Sequence, residues 1–170
     1  EEQALRRKTG DLNAVCGFTD FLYNDGPARG TRAFEVRNGR GLNLTVLADR
    51  GLDIAGVTHK GRQTAFLSKT GVKSPYQFTE DGARGFLRQF FGGLLTTCGL
   101  AYAGAAGMDG GLSLGLHGPY NNTPACPANA WMDDEGDEVV IRIAGQVRQS
   151  VVFGENLLLT RDIRVYTQKD

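Results

Sequence analysis

The chain has 170 residues, which is the size of one ordinary domain and is long enough to bury a hydrophobic core. Basic and acidic residues number 19 each, so the net charge is zero and there is no strong field to attract nucleic acid or an anionic membrane. No run of about 18 consecutive apolar residues is present, which excludes a membrane-spanning helix from this sequence.

The predicted elements are mainly short strands separated by turns that contain glycine. Glycine occurs 24 times, singly or in pairs between apolar runs, a pattern typical of strands joined by tight turns. A short helix is predicted at Leu5–Arg7. Five strands are predicted to follow, at Ala14–Tyr23, Thr31–Arg37, Leu42–Leu47, Asp53–Thr58 and Thr64–Ser68. Their spacing suits a β-sandwich.

The second half of the chain begins with an irregular stretch. Residues 69–89 lose the two-residue alternation and predict a long excursion, with one helical turn over Gly85–Phe91. Two extended strands are predicted later, at Glu138–Val147 and Asn156–Tyr166. The apolar face of the last strand includes Arg161, and an arginine in that position requires a carboxylate partner or a cleft.

The sequence predicts one β-sandwich domain spanning residues 1–170. The acidic run Asp133–Glu138 is predicted to be a solvated hairpin turn. The strand Asn156–Tyr166 alternates as though it were paired on both sides, but no further strand follows it in the sequence. We therefore expect the domain to be incomplete at its C-terminus.

The most informative segment runs from Phe90 to Tyr120. FFGGLLTTCGL is followed by GLSLGLHGPY, which places His117, one of two histidines, where an apolar, glycine-rich run meets a Pro-Tyr-Asn-Asn turn. A histidine there can point into a cleft, and histidine ordinarily titrates near neutral pH, which suits proton transfer. A histidine before a glycine turn can equally be a polar turn residue, so the residue by itself leaves both interpretations open.

Together with RGLDI at Arg50–Ile54, these segments resemble the aldose 1-epimerase (galactose mutarotase-like) superfamily, in its branch with GGLL-T-CGL ahead of LHG. The resemblance covers GPARGTRAFEVRNGRGLNLTVLADRGLDI, then GGLLTTCGL, then LHG, in that order. It implies an all-β fold, the galactose mutarotase-like β-sandwich (supersandwich), of which this chain is the N-terminal part. It also implies the interconversion of sugar anomers by general acid–base catalysis, with no cofactor and no metal.

The resemblance implies that His117, in LHG, is a catalytic histidine. Interconverting anomers requires one proton to leave the anomeric hydroxyl and another to reach the ring oxygen. A second histidine and a glutamate are expected beyond the C-terminal end of this sequence. Sugars also require planar donors and an aromatic face, and for these roles the predicted substrate-binding residues are Arg88, Tyr120 and Asn121.

The sequence departs from the family pattern at one position. The family usually has a Gly-Arg pair ahead of the histidine, whereas this chain has Gly92-Gly93. Arg88 is predicted to substitute for the missing arginine. The absence of that arginine favours the alternative function, a non-catalytic carbohydrate-binding β-sandwich.

Two other groups of residues are better explained by structural roles. A zinc site at Cys98, His117 and Cys126 is disfavoured because the spacing matches no compact ligand pairing. Arg50 and Asp53 can bind a ligand, but a structural ion pair that braces a turn between strands is favoured.

Three irregularly spaced cysteines favour reduced thiols and a cytoplasmic protein. The expected partner is a monosaccharide or sugar derivative, without nucleic acid or membrane, and a homodimer is left open.

Overall fold

Two antiparallel sheets face each other in the computed structural model of the chain, which describes residues 6–136 and 138–169. The larger sheet orders its strands consecutively, as β1 (Gly17–Leu22), β2 (Arg32–Arg37), β3 (Leu42–Leu47), β4 (Asp53–His59) and β5 (Arg62–Gln63). Two small pairs follow, β6 (Phe66–Leu67) with β7 (Gly92–Gly93), and β8 (Gly107–Asp109) with β9 (Leu112–Leu114). The second large sheet consists of β10 (Ala128–Glu135), β11 (Glu138–Ser150) and β12 (Asn156–Tyr166).

The main core lies between the two large sheets. Phe34 and Val46 from the first sheet and Ile141 and Ile143 from the second belong to one buried cluster, each with 0% exposure. Successive residues of a strand point to opposite faces, so this packing follows directly from the alternation along β2, β3 and β11.

A β-bulge adjusts the inner face of β4. The register between β3 and β4 shifts at Thr45/Val46, which leaves Ala55 without a partner in the ladder. Ile54 and Val57 therefore both face the main core, although their separation is odd. Ala55 packs instead with Leu47 in a second cluster on the other face of the sheet.

The segment between β6 and β7 covers that other face. Its helix α1 (Gly82–Gln89) ends just before Phe91, which is fully buried against Leu47 and Ala33. Short 3-10 helices occur at Leu12–Ala14, Gly26–Ala28, Pro75–Gln77 and Tyr120–Asn122. None of the helices in residues 6–136 and 138–169 is long and apolar enough to cross a membrane.

The predicted strands are confirmed for the larger sheet and for the last hairpin. The strands Leu42–Leu47 and Asn156–Tyr166 have the bounds that the sequence predicted. The helical turn expected over Gly85–Phe91 is a helix that begins earlier, at Gly82. Residues 6–8 are helical, and Leu5 of the predicted N-terminal helix lies outside the described residues.

Two sequence predictions were wrong in detail. The acidic run at 133–138 is not simply a turn, because β10 continues to Glu135 and Asp133 lies within it. Of the predicted strand Thr64–Ser68, only Phe66 and Leu67 form a strand, β6, which belongs to a different sheet from β5 just before it.

Candidate functional site

His117 lies in an irregular connection between β9 and the Tyr120–Asn122 helix. Its backbone is left-handed, with φ 59°, and it is fixed on both sides by main-chain hydrogen bonds. The His117 N–H donates to the Gly104 carbonyl at 2.9 Å, and its own carbonyl accepts from the Gly99 N–H at 2.9 Å. The partly buried imidazole and the Phe86 ring pack in a T-shaped contact, with 4.9 Å between their centroids. No hydrogen bond joins the imidazole to any other described residue, so its nitrogens are available to a ligand.

The glycine after His117 is required by the close approach of a neighbouring loop. A Cβ atom on Gly118 would lie 2.7 Å from the Gly99 carbonyl oxygen and 2.8 Å from that of Tyr102. Gly118 also has a positive φ of 73°, which L side chains rarely adopt. Glycine at position 118 therefore allows the segment that follows His117 to pack closely against residues 99–102.

Tyr120 and Asn121, two predicted substrate-binding residues, have buried side chains. Tyr120 is 1% exposed and its hydroxyl donates to the Gly51 carbonyl at 2.9 Å. Asn121 is 0% exposed, and its side-chain oxygen accepts from Asn122 at 2.8 Å. The structure thus places both behind the surface of the loop system, where they support the turn after His117.

Arg88, the third predicted substrate-binding residue, lies on the exposed side of α1. Its guanidinium pairs with Asp81 at 3.0 Å and its side chain is 57% exposed. Phe86, which contacts His117, is two residues earlier, and residues two apart on a helix point in nearly opposite directions. The structure therefore does not bring Arg88 together with His117.

Arg50 and Asp53 do not form the predicted ion pair with each other. Arg50 is 0% exposed, and its guanidinium donates to the carbonyls of Asn121, of Lys73 at 2.7 Å and of Gln89 at 2.9 Å. Burial lowers its pKa to about 10, partly offset by the charge of Asp53. The prediction of an ion pair with Asp53 is therefore wrong, because the hydrogen-bond partners of the buried Arg50 guanidinium are main-chain oxygens.

Asp53 pairs instead with Arg161, across the two sheets. Arg161 Nη1 lies 2.8 Å from Asp53 Oδ1 and 2.8 Å from the Gly51 carbonyl oxygen. Asp53 also accepts from the Thr97 N–H at 2.8 Å and from the Thr97 hydroxyl at 2.6 Å. The carboxylate partner that the sequence required for Arg161 is thereby confirmed, and it ties the loop after β7 to both sheets.

Burial and hydrogen bonding have opposite effects on the pKa values of Asp53 and Arg161. Burial raises the pKa of Asp53, and the hydrogen bonds from Thr97 and Arg161 oppose that rise. Burial by itself would lower the pKa of Arg161, but the contacts with Asp53 and Tyr120 outweigh it and the pKa is raised. Both groups are therefore held as a mutually dependent charged pair.

Sequence reasoning missed Asp53 and Thr97 as the anchors of Arg161. The signal available was the charged residue on the apolar face of β12, but it could not select one carboxylate among 19 acidic residues. Cys98 follows Thr97 and is a free, partly buried thiol. Among residues 6–136 and 138–169, no group of three His, Cys, Asp or Glu side chains is arranged to hold a metal ion.

Comparison with known sequences identifies one family. Residues 28–170 match the sequence model described as "Domain of unknown function (DUF4432)". No curated protein has a sequence that matches the chain significantly.

Comparison with solved structures identifies two similar folds. A putative aldose 1-epimerase from Klebsiella pneumoniae subsp. pneumoniae MGH 78578 superposes with a TM-score of 0.79 at 22% identity, over 95% of this chain and 42% of that one. Galactose 1-epimerase from Lactobacillus acidophilus NCFM gives a TM-score of 0.52 at 16% identity, over 90% and 46%. The chain spans less than half the length of either protein. The galactose mutarotase-like fold expected from the sequence is confirmed.

Proposed function

This chain belongs to the DUF4432 family, and from its galactose mutarotase-like fold and the setting of His117 we propose that it is a carbohydrate-active protein. The proposed activity is interconversion of sugar anomers by general acid–base catalysis, with a monosaccharide or a close derivative as substrate. The observation that carries the proposal is the imidazole of His117, which the backbone holds firmly while no described side chain occupies its nitrogens.

The backbone at His117 supports a functional role more than a structural one. A residue other than glycine in the left-handed region costs roughly 1–2 kcal/mol, and such strain concentrates at functional sites. The Phe86 ring packs nearly perpendicular to the imidazole, at an interplanar angle of 77°. Neither imidazole nitrogen of His117 is among the buried, unpartnered side-chain atoms, so a ligand can reach the ring.

The chemistry requires His117 to exchange a proton with the sugar. Removal of the proton from the anomeric hydroxyl and delivery of a proton to the ring oxygen break the bond between the anomeric carbon and the ring oxygen. The open-chain aldehyde then rotates, and the reverse transfers close the ring on either face. An imidazole can serve one of these transfers near neutral pH, while the second group is expected to be the more C-terminal histidine or glutamate that the resemblance implies.

The roles predicted for the other site residues remain part of the proposal. Tyr120 and Asn121, whose side chains are buried, would act by shaping the turn after His117. Arg88 would reach a sugar only by releasing Asp81. The cytoplasmic location proposed from the sequence is supported by free thiols at Cys16, Cys98 and Cys126, and the homodimer stays a prediction.

A second candidate function, non-catalytic carbohydrate binding, is favoured by the geometry at Gly93. Its φ is 82°, and a Cβ atom there would fall against the Ile54 carbonyl oxygen and the Phe91 ring. An arginine therefore cannot replace this glycine without moving the backbone. The protein would then bind sugar in the same place without accelerating anomer exchange.

Exchange spectroscopy by NMR on D-galactose and D-glucose separates the two functions. The variant of choice is His117→Asn, because asparagine tolerates the left-handed backbone and removes the titrating group. We expect anomer exchange to fall by roughly 10²-fold or more, with an unchanged melting temperature. His59→Asn, at the end of β4, is the matched control and should keep the parent rate.

Binding of either sugar without faster exchange in the parent protein would favour the carbohydrate-binding alternative. An exchange rate that survives His117→Asn in a folded protein would contradict the assignment of His117.

A further inference from the structure

Arg161 is a charged residue on the inner, apolar face of β12. Its neighbours on that face, Leu159 and Ile163, pack against the main core. The side chain of Arg161 is 14% exposed, so the guanidinium is largely desolvated but still reaches the surface. A charge in this position costs free energy that a leucine or valine would not, and it therefore calls for an explanation beyond folding.

The protein holds this guanidinium by one nitrogen. Nη1 lies 2.8 Å from both Asp53 Oδ1 and the Gly51 carbonyl oxygen, and 3.1 Å from the Thr97 hydroxyl. The Tyr120 hydroxyl is 3.4 Å from the same atom. Four protein oxygens thus surround a single nitrogen that carries two hydrogens.

The other edge of the guanidinium has no protein acceptor. Within residues 6–136 and 138–169, neither Nε nor Nη2 of Arg161 donates a hydrogen bond, and neither is sealed from solvent. A guanidinium carries donors on both edges in a rigid, planar fork. Nη1 is therefore used to fix the group, and the Nε–Nη2 edge keeps two parallel donors that solvent can reach.

The same loop connects Arg161 to His117. Asp53 holds the backbone of Thr97, and two residues later the Gly99 N–H donates to the His117 carbonyl at 2.9 Å. The Cα atoms of Thr97 and Gly99 can be no more than about 7 Å apart. Tyr120, three residues after His117, also donates its N–H to the Gly99 carbonyl at 3.0 Å. Residues 97–99 accordingly contact both Arg161 and the His117 turn.

We propose that Arg161 is a ligand-contacting residue, whose Nε–Nη2 edge donates to two neighbouring oxygens of the substrate while Asp53 and Thr97 hold the guanidinium in place. This inference rests on the proposed function for the identity of the substrate, a sugar. Asp53 neutralises the charge of Arg161, so the free edge suits hydroxyl oxygens, which do not bring a charge of their own. Asp53 and Thr97 are positioning residues in this arrangement.

The decisive variant is Arg161→Lys. Lysine keeps the positive charge and reaches Asp53 as a point charge, but it has no second edge to donate paired hydrogen bonds. With D-galactose and D-glucose as probes, titrated by ligand-observed NMR, we expect affinity to fall by roughly 10-fold or more while the melting temperature stays near that of the parent. Arg161→Met, which also removes the ion pair, should lose both affinity and stability.

Arg164→Lys is the matched control on the same strand. Arg164 lies on the outer face of β12 and pairs with Glu135 at 3.3 Å, so its replacement should leave sugar affinity unchanged. Parent-like affinity in folded Arg161→Lys, with sugar binding intact in the parent protein, would overturn the inference and leave the proposed function standing. Failure of the parent protein to bind either sugar would overturn the proposed function, and this inference with it.

Discussion

At the scale of single residues, the loop around His117 depends on glycines that allow two segments to approach closely. The Gly99 carbonyl lies where the side chain of residue 118 would be, and it accepts a hydrogen bond from the Tyr120 N–H. His117 is thereby clamped between residues 99 and 104 by its own backbone. The position of the imidazole is consequently a property of the backbone rather than of side-chain packing alone.

Replacing Gly118 by alanine should therefore damage the site and the fold together. The substitution introduces a Cβ atom 2.7 Å from the Gly99 oxygen at a φ of 73°, so either the loop shifts or strain accumulates. We expect the unfolding free energy to fall by about 1–3 kcal/mol, measured by urea denaturation, and the His117 ring resonances to move.

Gly110→Ala is the matched control for that change. Gly110 has a comparable φ of 53°, but nothing lies within 4 Å of the added Cβ atom. It should show only the smaller cost of the backbone conformation, about 1 kcal/mol. Equal losses in the two variants would mean that the contact with residue 99 does not matter.

At the scale of elements, the sheet β10–β11–β12 carries a charged cluster on its outer face. Arg142 on β11 donates to Asp133 on β10 at 2.9 Å and to Asp162 on β12 at 2.6 Å, so one guanidinium bridges all three strands. Its hydrogen bonds are the largest cause of the lowered pKa of Asp133 and of Asp162. The Arg142 guanidinium also lies 5.1 Å above the centre of the Trp131 ring.

Arg142→Met should consequently destabilise the protein in a way that depends on pH. Because both carboxyl pKa values are lower in the folded protein, their contribution is fully present above about pH 4, the usual pKa of aspartate, and is lost as the pH falls through the lowered values. The difference in melting temperature between parent and variant should therefore shrink below pH 4.

Arg148→Met provides the comparison on the same strand. Arg148 donates to the neutral amide oxygen of Asn156 at 2.6 Å, so its effect should be independent of pH between 3 and 7 to within about one degree. A melting-temperature difference for Arg142→Met that persists unchanged at pH 3 would contradict the assigned role of the two carboxylates.

At the scale of the whole molecule, the two large sheets depend on each other because each one covers the inner face of the other. Ile143 of β11 is fully buried in the cluster that also contains Phe34 and Val46 of the first sheet. Asp53 and Arg161 add a charged link between the sheets. If one sheet folded without the other, this core would be exposed to water. The charges of Asp53 and Arg161 would also each lose their partner.

Ile143→Ala should therefore weaken both sheets in one cooperative transition. We expect a loss of about 2–5 kcal/mol in unfolding free energy, with Trp131 fluorescence and far-ultraviolet circular dichroism giving the same midpoint in urea. Leu158→Ala on β12, where the side chain is 47% exposed, should change stability by less than about 0.5 kcal/mol. Separate midpoints for the two signals would show that the sheets unfold independently.

The sequence by itself determined the strands, the fold class and the segment that holds His117. Strands such as Leu42–Leu47 and Asn156–Tyr166 could be predicted because alternation and turn residues are local signals. The requirement for a carboxylate near Arg161 was equally local, since it follows from a charge on an apolar face. The family resemblance rested on short segments, each of which can be recognised from its own residues.

Only the tertiary structure decided which partners those residues have. Asp53 and Arg161 are 108 positions apart, and Arg50 reaches carbonyls 23, 39 and 71 positions away, so no local pattern could assign these contacts. The β-bulge at Ala55 and the short strand pairs arise where two segments meet, and their sequences carry little alternation of their own. Arg88 lies apart from His117 for a similar reason. The helix contacts the loop through Phe86, and the rotation of two residues along the helix directs Arg88 towards Asp81 and solvent.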